Sequence, residues 1–108
     1  LTDHRLASVV TLPVYVPLTV ELTQNQLFDR VLIQENIANG QHVVSGYVEY
    51  WNGIDWLPIQ AFTTIGYKRL LRFPAVRGSK VRLLITEANG PVEIAEMGVF
   101  KASARESR

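Results

Sequence analysis

The sequence contains no cysteine, which excludes a disulfide framework and a thiolate metal site. It also has no apolar run near the roughly 20 residues that cross a bilayer, and no signal-peptide pattern. Neither sign of charge dominates: 11 Lys and Arg, spread along the chain, stand against 10 Asp and Glu. We therefore expect neither a nucleic-acid nor a membrane partner. Because the chain starts at Leu1 rather than Met, we expect a processed product or a fragment.

The chain is long enough for one core, and its hydrophobic content of 47% is sufficient to fill it. Short alternating apolar segments about ten residues apart, with polar turns between them, predict an all-β antiparallel sandwich of the jelly-roll type. A polar stretch at residues 23–26 predicts a turn, Pro74 is expected to end a strand, and Pro58 indicates an edge or a bulge. The predicted strands are residues 18–22, 28–35, 44–50, 56–62, 64–73, 79–86 and 92–101.

The predicted sandwich domain covers residues 18–101. Residues 1–17 are expected to be irregular or to form an edge strand, because Pro13 and Pro17 interrupt regular elements. The polar tail at residues 102–108 is expected to be disordered.

Alternation of strand direction predicts two ends for the sandwich. One end would carry residues 37–42, 62–65 and 87–91, and the other would carry residues 25, 52–55 and 77–79.

The turn at residues 51–56, which we call the tryptophan turn, offers one candidate ligand site. A flat indole beside amide and carboxylate groups could stack on a sugar ring and bind its hydroxyls, but packing of the indoles on their own strands is the favoured reading. The candidate residues are Trp51, Asn52, Asp55 and Trp56.

The opposite end offers an alternative ligand site, formed by the polar residues His42, Glu87 and Asn89. Catalysis is not expected there: Glu87, Glu93 and Glu96 lie close in sequence, yet no second motif supports a glycosidase pair of carboxylates. With His4 and His42 as the only histidines, no metal site or other cofactor is expected either.

Residues 28–101 carry three specific strings: FDRVLIQENIANGQHV, YWNGIDW and TTIGYKRLLRFP. In combination they resemble the C-terminal β-sandwich of family 29 α-L-fucosidases, a relative of factor V/VIII type C, discoidin-like and galactose-binding-like modules. The chain departs from that family at His42, where Arg is usual. It departs again before Leu18, where the family has an acidic loop ending in Trp. That loop often helps hold a structural calcium ion or a sugar in related modules, so a bound calcium has no support here.

The resemblance implies a non-catalytic, carbohydrate-associated accessory domain, with catalysis on a preceding barrel domain and a secreted or periplasmic location. It also suggests a partly buried ion pair between Glu35 and Arg69, with Arg82 as a competing partner. Removing one member of such a pair would cost on the order of 3–5 kcal/mol.

Two alternatives stay open. The chain could be a free-standing lectin-like module, or a structural domain without a ligand that associates with another chain or with itself. The apolar surface in the second case would lie around Tyr47, Trp51 and Tyr67.

Overall fold

A computed structural model describes residues 4–5, 9–38 and 40–101. This part of the chain forms seven antiparallel strands and contains no helix. The strand order is β1-β7-β3-β6-β4-β5, with β2 also paired to β7. The strands are β1 (His4–Arg5), β2 (Val10–Thr11), β3 (Leu18–Glu35), β4 (Val43–Trp51), β5 (Trp56–Phe62), β6 (Lys68–Ala88) and β7 (Glu93–Phe100).

The sheet forms two layers because β3 and β6 each contribute to both. The second half of β3 pairs with β7 and with the start of β6, where Ile33 faces Arg69. The first half of β3 pairs with a later part of β6, where Leu18 faces Leu83, and that part of β6 also pairs with β4. Both strands thus pass from one layer to the other, and the predicted all-β sandwich is confirmed.

One apolar core lies between the layers. Phe28, at the bend of β3, is fully buried and makes edge-to-face contacts with Tyr50 and Phe73, at centroid distances of 6.2 and 6.0 Å. Such ring pairs add to the free energy of burial. The other fully buried apolar side chains are Val31, Ile33, Val48, Leu71, Val81, Leu83, Ile85, Ile94, Met97 and Val99.

Two predicted strand breaks are bends in continuous strands. Pro74 does not end a strand: it lies in β6 within a register irregularity opposite Asp29, between the pairs Phe28–Val76 and Arg30–Arg72. Outside the regular ladder its missing N–H costs no ladder hydrogen bond. The polar stretch at residues 23–26 is likewise a bulged part of β3, between the pairs Glu21–Lys80 and Gln26–Gly78. The expectation for Pro58 is confirmed, because β5 is the last strand of the sheet and shifts register there.

The segment at residues 9–17 runs from β7 towards β6. Leu12 is buried and its backbone N–H donates to the Val92 carbonyl at 2.9 Å, while the Tyr15 N–H donates to the Ile85 carbonyl at 2.8 Å. Tyr15 has a positive φ of 61° and is exposed. The domain boundary at residues 17–18 stays a prediction, and the expected disordered tail at residues 102–108 falls outside the described residues. The described part of the chain contains no membrane-spanning helix.

Candidate functional site

The structure brings a different set of turns together at each of the two predicted ends of the sandwich. Gly78 packs against the backbone of Trp51, so the bend of β6 and the tryptophan turn share one end. At the other end, the Asn89 N–H donates to the His42 carbonyl at 2.9 Å, which joins the loop after β3 to the turn before β7. We call the described residues 36–38, 40–42 and 89–93 the histidine end.

In the tryptophan turn, the polar groups bond within the turn itself. Asn52 Oδ1 accepts hydrogen bonds from the backbone N–H groups of Ile54 and Asp55, both at 2.8 Å, and the Asn52 N–H donates to the Asp55 carbonyl at 3.1 Å. Gly53 supplies the positive φ of 105° that the tight turn requires. Asn52 is therefore a turn-forming residue.

The two indoles of the turn pack on each other and on β6. Their centroids lie 5.5 Å apart, and both side chains are half-buried. The Arg82 guanidinium lies 4.1 Å from the Trp56 ring centroid, and Arg82 also bonds to Glu49, with Nε 2.7 Å and Nη2 2.6 Å from the same carboxylate oxygen. A cation on the ring face and a half-buried ion pair fix the indole in place. This arrangement supports the interpretation that Trp51 and Trp56 pack on their own strands.

The histidine end contains a pocket of about 250 Å³. Among the described residues, its lining consists of Asn36, His42, Pro91 and Glu93. Three of these four carry hydrogen-bonding side chains, and Glu93 brings a carboxylate.

Backbone hydrogen bonds hold His42 from two sides. The His42 N–H donates to Glu35 Oε2 at 2.8 Å, and its carbonyl accepts from the Asn89 N–H. The ring lies against Gly90: a Cβ at that position would come within 2.6 Å of His42 Cδ2. Gly90 thus leaves room for the close approach of the ring, while the hydrogen bonds hold the backbone of His42.

Asn36 and Glu93 form a second link across the pocket. The Asn36 backbone N–H donates to the Glu93 carbonyl and the Asn36 side-chain amide donates to Glu93 Oε1, both at 2.8 Å. Because these residues are 57 positions apart in the sequence, no local motif predicts that they form a pair. The sequence signal available was the end assignment, which placed the loop after β3 beside the turn before β7.

The alternative site predicted at this end is only partly assembled. His42 lines the pocket, whereas Glu87 is exposed on β6 opposite Ser45, and Asn89 is exposed and contributes its backbone N–H. The assignment of ligand-binding residues at either end stays a prediction.

Glu35 and Arg69 have separate partners rather than the expected ion pair. Glu35 is 1% exposed and bonds to the His42 backbone, and no described residue hydrogen-bonds to its buried Oε1. Arg69 Nη1 donates to the Thr64 carbonyl at 2.9 Å. The physical reason is register: the β3–β6 ladder ends at Gln34 and Lys68, so Glu35 lies beyond its last pair. Arg82, the competing partner, bonds to Glu49 instead.

The residues of the predicted apolar surface lie on different elements. Tyr47 and Trp51 lie on the same face of β4 and are half-buried. Tyr67 lies in the connection from β5 to β6 and is 58% exposed. Within the described residues, no group of three or more His, Asp or Glu side chains could hold a metal ion.

The fold and the pocket define a β-sandwich module. No protein-family model matches the chain. Over 83 residues it is 40% identical to a rice protein (Oryza sativa subsp. japonica) named as a candidate α-L-fucosidase 1, a match that covers 77% of this chain and 16% of that protein.

Two solved structures extend the comparison. A candidate α-L-fucosidase from Bacteroides ovatus matches with a TM-score of 0.86 at 28% identity, over 94% of this chain and 18% of that chain. A family 29 fucosidase from Ruminococcus gnavus, solved in complex with fucose, matches with a TM-score of 0.74 at 32% identity, over 82% of this chain and 18% of that chain. The resemblance to a sandwich domain of family 29 α-L-fucosidases is confirmed, and the partial coverage fits a non-catalytic domain of such an enzyme.

Proposed function

We propose that this chain is a non-catalytic accessory domain of a longer α-L-fucosidase and that it contacts carbohydrate beside a catalytic barrel domain. The observation that carries the proposal is the 40% identity to a fucosidase-like protein over most of this chain but only 16% of that protein. A secreted or periplasmic location goes with this assignment, because it follows from the same resemblance.

The chemistry of the pocket supports an accessory role. Glycoside hydrolysis needs two carboxyl groups flanking the scissile bond, one of them as the proton donor. The described lining residues supply one carboxylate, Glu93, and its Oε1 accepts a hydrogen bond from Asn36. Such a site suits the binding of sugar hydroxyl groups better than the cleavage of a glycosidic bond.

Two assays on the purified 108-residue chain test the proposal. Hydrolysis of a chromogenic aryl α-L-fucoside measures catalysis, and isothermal calorimetry with fucose, galactose and N-acetyl-lactosamine oligosaccharides measures binding. We expect no turnover and saturable heat with at least one sugar. Turnover would contradict the non-catalytic assignment, and the absence of heat with every sugar would contradict the carbohydrate role.

A structural role in docking is the second candidate, and one surface favours it. Val14, Tyr15 and Val16 are 44%, 65% and 46% exposed, and Pro13 and Pro17 flank them. Consecutive exposed apolar side chains on a stiff segment are typical of a surface covered by another domain. Sedimentation over a range of concentrations tests self-association: a constant monomer mass would count against a second copy as the partner.

A further inference from the structure

We propose that the pocket of the histidine end is the saccharide site of this domain, and that it takes one uncharged pyranose unit with free hydroxyls. The inference rests on the proposed carbohydrate role and adds the location and the class of ligand. It places binding on Asn36, His42 and Glu93 rather than on the tryptophan turn.

The size of the pocket sets the size of the ligand. A volume of about 250 Å³ holds about eight waters at the liquid share of roughly 30 Å³ each. It lies just below the range of roughly 300–1,000 Å³ typical of drug-sized ligands. A single sugar ring fits this space, whereas the rest of an oligosaccharide would extend into solvent.

The polar groups at the pocket match hydroxyl chemistry. A sugar hydroxyl both donates and accepts, so adjacent hydroxyls are best met by a mixture of amide, carboxylate and imidazole groups. Asn36 uses one amide hydrogen on Glu93 Oε1; among the described residues nothing bonds to Glu93 Oε2 or to the second amide hydrogen. The ring of Pro91 adds an apolar wall for the C–H face of a pyranose.

The site is held in place before a ligand arrives. The backbone of His42 is fixed through its N–H and its carbonyl, and Asn36 is fixed to Glu93 through backbone and side chain. Groups that are already ordered lose less conformational entropy on binding. Asn36 Oδ1 accepts only a long hydrogen bond from the Ala38 N–H, at 3.4 Å, whereas Asn52 Oδ1 accepts two backbone hydrogen bonds at 2.8 Å.

The charge of the site selects against acidic sugars. Glu93 lines the pocket, and the buried side chain of Glu35 accepts a hydrogen bond from the backbone N–H of His42, which also lines the pocket. The described lining residues include no Lys or Arg that could pair with an anion. A uronic acid would bring a carboxylate towards Glu93, and two like charges about 4 Å apart would weaken binding by about tenfold or more.

Calorimetry with matched ligands and variants tests the inference on the 108-residue chain. The ligands are galactose, fucose and galacturonic acid, the last of which has a carboxylate in place of the C6 hydroxymethyl group of galactose. The variants are Glu93→Gln, which keeps an acceptor for Asn36 but removes the charge, His42→Ala, and the control Asp55→Asn in the tryptophan turn. Thermal unfolding of each variant reports folding separately from binding.

We expect a neutral sugar to bind, galacturonic acid to bind about tenfold more weakly or not at all, and Asp55→Asn to change nothing. Glu93→Gln should raise the Kd about tenfold, because the sugar hydroxyl then bonds to a neutral amide in place of a charged acceptor. It should also narrow the gap between galactose and galacturonic acid. Backbone amide NMR shifts at His42 on adding sugar would locate binding independently of any variant.

Three results would overturn the inference. Saturable binding that is unchanged in folded Glu93→Gln and His42→Ala would remove the site while leaving the carbohydrate role intact. Galacturonic acid binding as tightly as galactose would remove the ligand class. No binding of any sugar would remove the inference together with the carbohydrate role on which it rests.

Discussion

The two ends of the sandwich carry similar side chains but use them differently. At the tryptophan turn, Asn52 bonds to its own turn and Trp56 packs under Arg82. At the histidine end, the hydrogen bonds hold the backbone of His42 and join Asn36 to Glu93, while polar side-chain groups remain around a pocket. The residue types in a loop therefore do not by themselves identify a ligand site. What matters is which hydrogen-bonding groups remain after the fold has used the others.

We expect the largest loss of stability from a substitution at Gly78, beside the tryptophan turn. A Cβ at this position would lie 2.6 Å from the Trp51 carbonyl oxygen and 3.0 Å from Tyr50 Cδ2. Because the first of these is a backbone atom, relief requires the strand to move, and we expect Gly78→Ala to cost about 1–3 kcal/mol or more. For a domain of this size that loss lowers the Tm by roughly 10 °C. A Tm equal to that of the unsubstituted chain would show that the β6 bend is looser than described.

Trp56→Ala tests the packing role of the tryptophan turn. The substitution removes a half-buried indole, its contact with Trp51 and its contact with the Arg82 guanidinium. We expect a loss of about 1–3 kcal/mol in the free energy of unfolding, measured by urea denaturation, and unchanged sugar binding. Trp56→Phe, which keeps an aromatic face under Arg82, is the matched control and should recover part of the stability. Lost sugar binding in a fully stable Trp56→Ala protein would move the ligand site to this turn.

Asn52→Ala also tests the tryptophan turn, and we expect it to lower stability less than Trp56→Ala does. The substitution leaves the N–H groups of Ile54 and Asp55 without their acceptor, although solvent can replace it because both are exposed. We expect a loss of about 1 kcal/mol in urea denaturation. Asn52→Asp retains the acceptor oxygen and should stay close to the original stability. Equal losses for Ala and Asp would mean that the amide group of Asn52 has a role outside the turn.

The layout of the sandwich could be predicted from local pattern, because strand alternation and turn residues act over a few positions. β5 (Trp56–Phe62) has the predicted bounds, a turn lies at residues 52–55, and His42 meets Asn89 at the other end as predicted. The continuity of β3 and β6 could not be predicted from pattern. Pro74 and the polar residues 23–26 ordinarily mark breaks, and only the pairing of one long strand with the other shows that they lie in bulges.

The pocket was only partly predictable for a related reason. His42 was placed at the correct end by counting strands, but the link between Asn36 and Glu93 depends on the register of β3 against β7. Glu35 shows the same limit. The family resemblance suggested an ion pair with Arg69 on β6, while the end of the β3–β6 ladder leaves Glu35 bonded to a backbone N–H.

Gly90→Ala is the counterpart of Gly78→Ala and gives the smallest expected change in stability. The added Cβ would lie 2.6 Å from Cδ2 and 2.9 Å from Nε2 of His42, so the atoms it meets belong to a side chain and not to the backbone. The imidazole can rotate away towards the open pocket, and we expect the free energy of unfolding to fall by less than about 1 kcal/mol. The displaced ring would then occupy the space assigned to the sugar, so sugar binding measured by calorimetry should be lost while the Tm hardly changes. Equal losses of stability for Gly78→Ala and Gly90→Ala would erase the contrast between the two ends, since it would mean that His42 is held as rigidly as the strand backbone.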